Sequence, residues 1–367
     1  MLKKILVVGQ TPPPYHGQTV MIEKLLNGKY TNVKLYHVRM SFSKQIDQSG
    51  KFHVLKIFHL ISIILKIYYY RLKFNINVLY YPPSGPVKIP IIRDMIILIL
   101  TRWLFKKIIF QFFAGGITET YKNLSAINKF FFRLSFFYPD ISIRPSLYSP
   151  DDGHFIKSKK EYIVNWATED NYPRFSSQKI INEVPQILFV GFLKESKGVM
   201  VLLEACSILV RKNIKFIVNI MGQFESPAFE KYVKKFVQDN KLMDLVNFLG
   251  VNVGDEYYRV YSNASIFCLP TFFESENVPI VTIDACEFAL PIVGTKWRGV
   301  PSVVQDNING FLVPPKNHQA VAEKLEILIK DPELRLLMGQ RGRNIYLETF
   351  KIDIFYKQMD KIFQEIL

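Results

Sequence analysis

Short apolar runs alternate with helix-length segments along the first 150 residues of the chain. The runs with the composition of strands are ILVVG, NVLYY, KIIFQFF and DISIRPS. Strands that are separated by segments long enough for a helix are typical of a parallel sheet with crossover helices. The pattern therefore predicts an α/β domain.

The same alternation begins again near residue 186. Its apolar runs are QILFVGF, FIVNIMG, VNFLG, IFCLP, PIVGT and GFLVPP, and helical segments such as VMVLLEACSILVRK lie between them. Residues 169–186 separate the two sets; they are polar, contain two prolines and lack apolar periodicity, as a linker does. We predict two doubly wound, Rossmann-like domains, residues 1–180 and 181–347. Ligands are expected beyond the carboxyl ends of the strands and in the cleft between the domains.

Composition narrows the class of partner. The 367 residues are enough for two domains that each bury a core. A net charge of +15 favours phosphate-bearing ligands or anionic membranes as partners. Nucleic acid is not an expected partner, because the chain has no pattern of a known nucleic-acid-binding module. The three cysteines, Cys206, Cys268 and Cys286, form no CxxC pair, which indicates a reducing cytoplasm and no zinc site.

Two basic and aromatic segments, residues 52–73 and 88–110, raise the question of membrane contact. Charged residues interrupt both segments well before the roughly 20 apolar residues that a spanning helix requires. Only a short apolar run follows Lys3 and Lys4, so we expect no signal peptide. Both segments fit domain helices with solvated charges, and both also fit helices that lie along lipid headgroups.

From these segments we predict a cytoplasmic protein that attaches peripherally to the inner face of the cytoplasmic membrane. Basic residues near an anionic surface contribute about 1 kcal/mol each, so a few of them suffice for reversible attachment. The basic residues expected to act in this way are Lys56, Lys66, Arg71, Arg102, Lys106 and Lys107.

Two loops place glycine at the start of a helix. In GQTPPPYHGQTVMIEKLL a strand ends at Gly9, and Gly17 precedes a helix that begins near Thr19. In GFLKESKG, Lys197 and Gly198 lie at a second strand-to-helix turn. Small residues let helix N–H groups approach an anion closely, although Gly17 also fits a plain turn and Lys197 a solvated charge. Neither loop has the GxGxxG or GxxxxGK[ST] pattern, so no dinucleotide or P-loop site is predicted.

Two acids lie on either side of a third helix start. Glu276 is in the loop TFFESEN, Asp284 follows eight residues later, and a helix begins between them near Pro279. Eight residues along a helix span about 12 Å, which is too far for one shared proton or a hydrolytic pair. The acids would suit separate hydroxyl groups of a nucleotide-sugar whose diphosphate meets the N–H groups of Ile280 and Val281. The alternative is that Glu276 stabilises the helix dipole and Asp284 is a solvated helix residue.

The segment PTFFESENVPIVTIDACEFALPIVGTKWRGVPSVVQDNINGFLVPP resembles the C-terminal domain of family-4 retaining glycosyltransferases of the GT-B fold, and TPPPYHGQ resembles their N-terminal glycine loop. The resemblance implies two Rossmann-like domains that face each other across a cleft. It implies a nucleotide-sugar donor on the C-terminal domain, an acceptor mainly on the N-terminal domain, and transfer with retention. It further implies that no metal or other cofactor is required, and that a C-terminal helix, residues 348–367, packs back on the N-terminal domain.

The resemblance also assigns roles to single residues. Glu276 matches the acid that contacts the donor sugar, Asp284 matches the acid that contacts ribose, and Lys197 matches a cation on the donor diphosphate. Lys197 and Glu276 are the expected catalytic residues. The expected donor-binding residues are Gly17, Gln18, Gly191, Lys197, Glu276, Val278, Ile280, Val281 and Asp284. The candidate acceptor or sugar contacts are His16, Phe113 and Gly115, and His16 fits either a general base or a polar spacer.

The chain departs from the family pattern at four positions. Asp284 stands where the family has a glutamate, and Phe192 stands where it has an arginine, the second cation on the diphosphate. Phe113 replaces a histidine near the donor sugar, and Ser302 replaces an acid that is frequent in the family. The shorter Asp284 reaches less far toward ribose, and Phe192 removes one of two cations. These changes bear on catalysis rather than on the fold.

The sequence thus predicts a metal-independent hexosyltransferase that moves a sugar, with retention, from a UDP- or GDP-sugar to a saccharide or lipid-linked acceptor. The product would be a cell-surface polysaccharide or glycolipid. The departures keep a second function open, a catalytically silent GT-B protein that binds a nucleotide-sugar or a partner transferase. A nucleotide-sugar 2-epimerase is a third class, but the further acids and histidines that it needs are not found.

Overall fold

The structure is a computed structural model that describes residues 2–13, 17–41, 54–176 and 183–366. The chain divides into two compact units. The first unit comprises the chain up to Trp166 together with the chain from Asp353 onward, and the second unit comprises Ala167–Ile352.

The first unit is built on a six-stranded sheet in the order β2-β1-β3-β4-β5-β6, and neighbouring strands are parallel. Its strands are β1 (Lys3–Gly9), β2 (Val33–Arg39), β3 (Val78–Tyr81), β4 (Lys107–Gln111), β5 (Ile141–Arg144) and β6 (Lys160–Ile163). Its first helices are α1 (Gly17–Asn27), α2 (Val54–Phe74), α3 (Lys88–Thr101), α4 (Ile117–Lys122), α5 (Ala126–Phe136) and α6 (Asp152–Phe155). Ile63 and Ile67 on α2 and Ile91 and Leu98 on α3 are buried against the sheet.

The second unit repeats this architecture. Its parallel sheet has the order β12-β11-β10-β7-β8-β9. Its strands are β7 (Gln186–Val190), β8 (Ile217–Met221), β9 (Val246–Gly250), β10 (Ile266–Leu269), β11 (Ile292–Thr295) and β12 (Gly310–Val313). Its helices are α7 (Tyr172–Phe175), α8 (Val199–Arg211), α9 (Pro227–Asp239), α10 (Asp255–Asn263), α11 (Ile280–Glu287), α12 (His318–Lys330) and α13 (Pro332–Ile345). The predicted fold class, two doubly wound α/β domains, is confirmed.

The C-terminal helix α14 (Ile352–Ile366) packs on the first unit. Its Phe363 ring lies edge-on to Tyr30, with centroids 5.0 Å apart. Asp360 accepts hydrogen bonds from the backbone N–H and the hydroxyl of Thr31, at 2.8 and 2.7 Å. The end of the chain is thus tied to the loop between α1 and β2.

The division between the units lies at Trp166, whereas the sequence predicts a boundary near residue 180, which is outside the described residues. The chain after Trp166 already belongs to the second unit, because Thr168 exchanges backbone hydrogen bonds with Phe350 and Ile352. The N–H of Asn171 also donates to the Glu287 carboxylate at 2.6 Å. These contacts fix a stretch that lacks periodicity in the sequence.

The interpretation of residues 88–110 as one helix is wrong at its C-terminal end, where the strand predicted from KIIFQFF is confirmed. The helix α3 ends at Thr101, a 3₁₀ turn covers Arg102–Leu104, and strand β4 begins at Lys107. Arg102 donates to the carbonyls of Leu134 and Ser135 at 3.0 and 2.6 Å, so its charge faces the end of α5. In the described part of the chain, no helix combines the length and hydrophobicity of a membrane-spanning segment.

Candidate functional site in the second unit

Two loops meet at the carboxyl edge of the second sheet. They follow β7 and β10, which are neighbours in the sheet. Gly198 closes the first loop with φ of 87°, and a Cβ at this position would lie 2.2 Å from the Pro270 carbonyl oxygen. Only glycine permits both this conformation and this approach. A hydrogen bond of 2.8 Å from the Phe272 N–H to the Ser196 carbonyl joins the two loops further.

Lys197 and Glu276 form an ion pair across these loops. The ammonium Nζ of Lys197 lies 3.0 and 2.7 Å from the two carboxylate oxygens of Glu276. The hydroxyl of Thr271 donates to the same carboxylate at 2.8 Å. The side chains of Lys197 and Glu276 are 19% and 7% exposed, so the pair is largely shielded from solvent. Both predicted catalytic residues therefore lie in one cluster, and Thr271 is a partner that the sequence analysis did not identify.

Asp284 lies on the buried side of helix α11. It is 4% exposed and accepts a hydrogen bond of 2.6 Å from the Tyr257 hydroxyl. Burial, followed by the charge of Asp284, raises the pKa of Tyr257 well above its ordinary value, so Tyr257 remains a neutral donor. The alternative that Asp284 is a solvated helix residue is wrong.

The spacing argument for the two acids is also corrected by the structure. Pro279 is the N-cap of α11, and the helix begins at Ile280, so Glu276 precedes the helix instead of lying on it. The helical rise therefore does not describe the distance between Glu276 and Asp284. The two acids have separate partners, Lys197 and Thr271 for Glu276 and Tyr257 for Asp284. Val278 is buried, whereas Ile280 and Val281 are partly exposed at the helix start.

Glu287 is a second buried carboxylate on α11, beside Asp284, and the sequence analysis did not identify it. It accepts from the Asn171 N–H at 2.6 Å and lies 3.3 Å from the Thr168 hydroxyl. Burial, and then the charge of Asp284, raises the pKa of Glu287 to about 8. Its contacts connect the end of α11 to the first residues of the second unit.

The remaining predicted residues lie elsewhere in the chain. Gly191 follows β7, and Gly17 and Gln18 begin α1 of the first unit. His16 lies outside the described residues. Phe113 follows β4, is 2% exposed, and packs its ring against Trp166 with centroids 5.8 Å apart.

Gly115 makes a close contact in the same loop of the first unit. A Cβ at Gly115 would lie 2.5 Å from the Cδ of Pro150. This position therefore admits no side chain unless Pro150 moves. Throughout the described ranges, no three His, Cys, Asp or Glu side chains are grouped closely enough to hold a metal ion.

Comparison with known proteins identifies relatives of the second unit. Residues 173–345 match the family model described as Glycosyl transferases group 1. An uncharacterized glycosyltransferase of Haemophilus influenzae is 32% identical over 189 residues, which cover 51% of each chain. The amylovoran biosynthesis glycosyltransferase AmsK of Erwinia amylovora is 29% identical over 214 residues, which cover 57% of this chain and 52% of that protein. The chain spans about half the length of these curated relatives.

A solved structure extends the similarity in fold to both units. The crystal structure of Anabaena HepE in complex with UDP covers 99% of this chain and 100% of its own, with a TM-score of 0.74 and 14% sequence identity. At this identity the likeness concerns the fold alone. Residues 173–345 are thus similar to the glycosyl transferases group 1, and both units share their fold with HepE, which is the predicted GT-B fold.

Proposed function

We propose that the protein is a retaining glycosyltransferase that transfers a sugar from a UDP- or GDP-sugar to a saccharide or lipid-linked acceptor. The observation that carries the proposal is the cluster of Lys197, Glu276 and Thr271 beside the start of α11. Two further facts support it: the related AmsK is a glycosyltransferase of amylovoran biosynthesis, and HepE has been crystallised with UDP. The product would be a cell-surface polysaccharide or glycolipid.

In this proposal the donor exchanges partners with the ion pair. The diphosphate accepts from Lys197 and from the N–H groups of Ile280 and Val281, which have no carbonyl partner within the helix. Glu276, released from Lys197, then accepts from hydroxyl groups of the donor sugar. Asp284, held by the Tyr257 hydroxyl, accepts from the ribose hydroxyls.

As the bond between the sugar and the diphosphate breaks, negative charge grows on the leaving oxygen. Lys197 and the start of α11 are placed to stabilise that charge, and no metal ion is required for this step. The departing phosphate takes the proton of the acceptor hydroxyl, so no protein base is required. The first unit would bind the acceptor.

The test is a panel of UDP-, GDP- and ADP-sugars. A ligand at 100 times its dissociation constant adds about 2.7 kcal/mol of stability, which a thermal shift detects. The bound donor is then incubated with saccharide and lipid-linked acceptors, and NMR determines the anomeric configuration of the product. Failure to bind every nucleotide-sugar would refute the proposal, and an inverted product would refute retention.

A catalytically silent donor-binding protein is the second candidate function. It is favoured by Phe113, whose buried ring against Trp166 offers no polar group where relatives have a histidine. Binding of a nucleotide-sugar without transfer or hydrolysis under any acceptor condition would support this function over the first.

We also propose that the first unit attaches to the inner face of the cytoplasmic membrane. Helix α3 packs against both α2 and α5. Their outer faces carry exposed apolar residues in a helical repeat; on α2, Phe58, Leu65 and Leu72 are 67, 63 and 71% exposed. Exposed apolar side chains of this size, beside cations, suit insertion between anionic headgroups.

The basic residues expected at this surface differ in whether their charge is available to bind anionic lipid. Lys66 and Lys106 are exposed. Arg71 donates to the Leu104 carbonyl at 2.7 Å, and Lys107 contacts Asp140 at 3.4 Å, so both are engaged within the unit, as is Arg102. The side chain of Lys56 lies outside the described residues.

Liposome flotation tests the attachment. We expect binding to vesicles with anionic lipid at low ionic strength, release by high salt, and weaker binding after Leu65→Ser and Leu72→Ser. Binding that does not depend on anionic lipid, or no binding at low ionic strength, would refute the proposed attachment.

A further inference from the structure

Lys194 is a second cation beside Lys197. Its ammonium Nζ lies 4.4 Å from the centroid of the Phe273 ring, and the Nζ of Lys197 lies 4.8 Å from the same centroid. Each contact is within the range of a favourable cation–π interaction. Phe273 lies in the loop that carries Glu276, so one ring brings both ammonium groups to the proposed donor site.

The two lysines differ in whether a carboxylate neutralises their charge. Lys197 is paired with Glu276 at 2.7 Å, so the pair as a whole contributes no net charge. Lys194 has no carboxylate within ion-pair distance in the described ranges of the chain. A nucleoside diphosphate brings more than one negative charge into the site. Lys194 therefore supplies a positive charge that no acid in the described part of the chain neutralises.

The backbone around Lys194 is held in place. The Leu193 N–H donates to the Gln223 carbonyl at 2.8 Å, and the Leu193 carbonyl accepts from the Glu225 N–H at 3.0 Å. The Lys194 carbonyl accepts from the Lys197 N–H at 3.1 Å, which closes the turn between the two lysines. Only the Lys194 side chain loses freedom when it binds an anion, and this lowers the cost of binding.

We infer that Lys194 binds the donor diphosphate together with Lys197 and supplies the charge that an arginine at position 192 would otherwise provide. The inference rests on the proposed function, because it concerns the same donor site. On this inference, the cation that Phe192 does not provide is supplied two residues later in the same turn.

The test is calorimetric titration of the full chain with UDP, GDP and ADP, and the nucleoside diphosphate that binds the wild type most tightly becomes the probe. Lys194→Met keeps the length of the side chain and removes its charge, and it should weaken binding about 10- to 100-fold. Lys194→Arg should retain most of the affinity. The matched control is Lys316→Met, whose Nζ lies 4.8 Å from the centroid of the neighbouring Phe272 ring; it should bind nearly as the wild type does.

A double variant tests the shared role directly. Phe192→Arg should restore binding to the Lys194→Met protein, because it places a cation two residues earlier in the same loop. If the double variant binds no better than Lys194→Met, then Lys194 does not bind the phosphate group that a cation at position 192 would contact. This result would overturn the inference.

Three other results would also overturn it. These are Lys194→Met binding within about twofold of the wild type, equal losses in Lys194→Met and Lys194→Arg, and an equal loss in Lys316→Met. If the wild type binds none of the three nucleoside diphosphates, the proposed function fails instead, so the two failures are distinguishable.

Discussion

The two units share a six-stranded parallel sheet but differ in the partners of their buried carboxylates. In the first unit, Asp152 accepts from the Gly116 N–H at 2.8 Å and from the N–H and hydroxyl of Thr118 at 3.1 and 2.7 Å. Asp94 accepts from the N–H and hydroxyl of Ser84 at 2.8 and 2.6 Å, and it also pairs with the Arg93 side chain at 2.7 Å. These acids hold the loops that follow β3 and β4.

In the second unit, the partners of Glu276 are the side chains of Lys197 and Thr271. A side chain can rotate toward a ligand, whereas a backbone N–H cannot leave its position without moving the loop. The same fold therefore uses one buried acid, Asp152, as a fixed support and another, Glu276, as an exchangeable group.

The largest expected effect is a loss of sugar transfer when either partner of the Lys197–Glu276 pair is replaced. Lys197→Ala and Glu276→Gln should each lower the rate of sugar transfer about 10²- to 10³-fold, because each removes a charge that acts in the transition state. The rate is measured on protein whose far-ultraviolet circular dichroism matches the wild type. Lys212→Ala, which breaks the exposed pair with Glu326, is the control and should leave the rate unchanged. Wild-type turnover in either site variant would contradict the assignment.

The role of Asp152 as a fixed support is tested by measuring the free energy of unfolding. Asp152→Ala leaves the Gly116 and Thr118 donors without their acceptor, and it should lower the free energy of unfolding by about 2–4 kcal/mol. Glu276→Gln keeps an acceptor for Thr271 but leaves Lys197 without its carboxylate, and because Lys197 is partly exposed and can turn toward solvent, the cost should be smaller, about 1–2 kcal/mol. Urea denaturation measures both. Equal losses would remove the distinction between the two kinds of acid.

Glu287 provides a pH test within the second unit. Its pKa is raised from 4.5 to about 8 in the folded state, by burial and then by Asp284. The folded state thus holds the proton more tightly, and stability should fall as pH rises between about 4.5 and 8, by at most about 1.4 kcal/mol per pH unit.

Glu287→Gln should remove this dependence, because the amide cannot titrate. Asp170, Tyr258 and Tyr346 also surround Glu287, so the informative quantity is the difference between wild type and variant at each pH. Parallel stability curves from pH 5 to 8 would show that Glu287 is ionised throughout.

The smallest expected effect concerns metal. Because Lys197 and the start of α11 are placed at the proposed diphosphate, the rate of transfer should be unchanged by EDTA. Loss of activity that Mn²⁺ or Mg²⁺ restores would contradict the prediction.

The central strands were predictable because both of their faces are buried, which makes them continuous apolar runs such as ILVVG and IFCLP. The edge strands β2 and β6 were missed. Each pairs on one side only, and their sequences VKLYHVR and KEYI mix charged with apolar residues. Residues 88–110 fitted both a helix and, from Lys107, the strand KIIFQFF, because an apolar helix and an apolar strand follow each other with only a short turn between them.

The α/β architecture was predictable from the sequence, since strand and helix periodicities are local properties of the chain. Lys197, Glu276 and Asp284 were also predictable as site residues, because each lies in a loop or helix that follows a strand. Their partners became visible only in the folded protein. Lys197 and Glu276 are 79 residues apart, and they meet because β7 and β10 are neighbours in the sheet. Tyr257 on α10 likewise donates to Asp284 on α11, 27 residues later in the chain. Such pairings depend on how the strands and helices are arranged in space, which no local sequence pattern encodes.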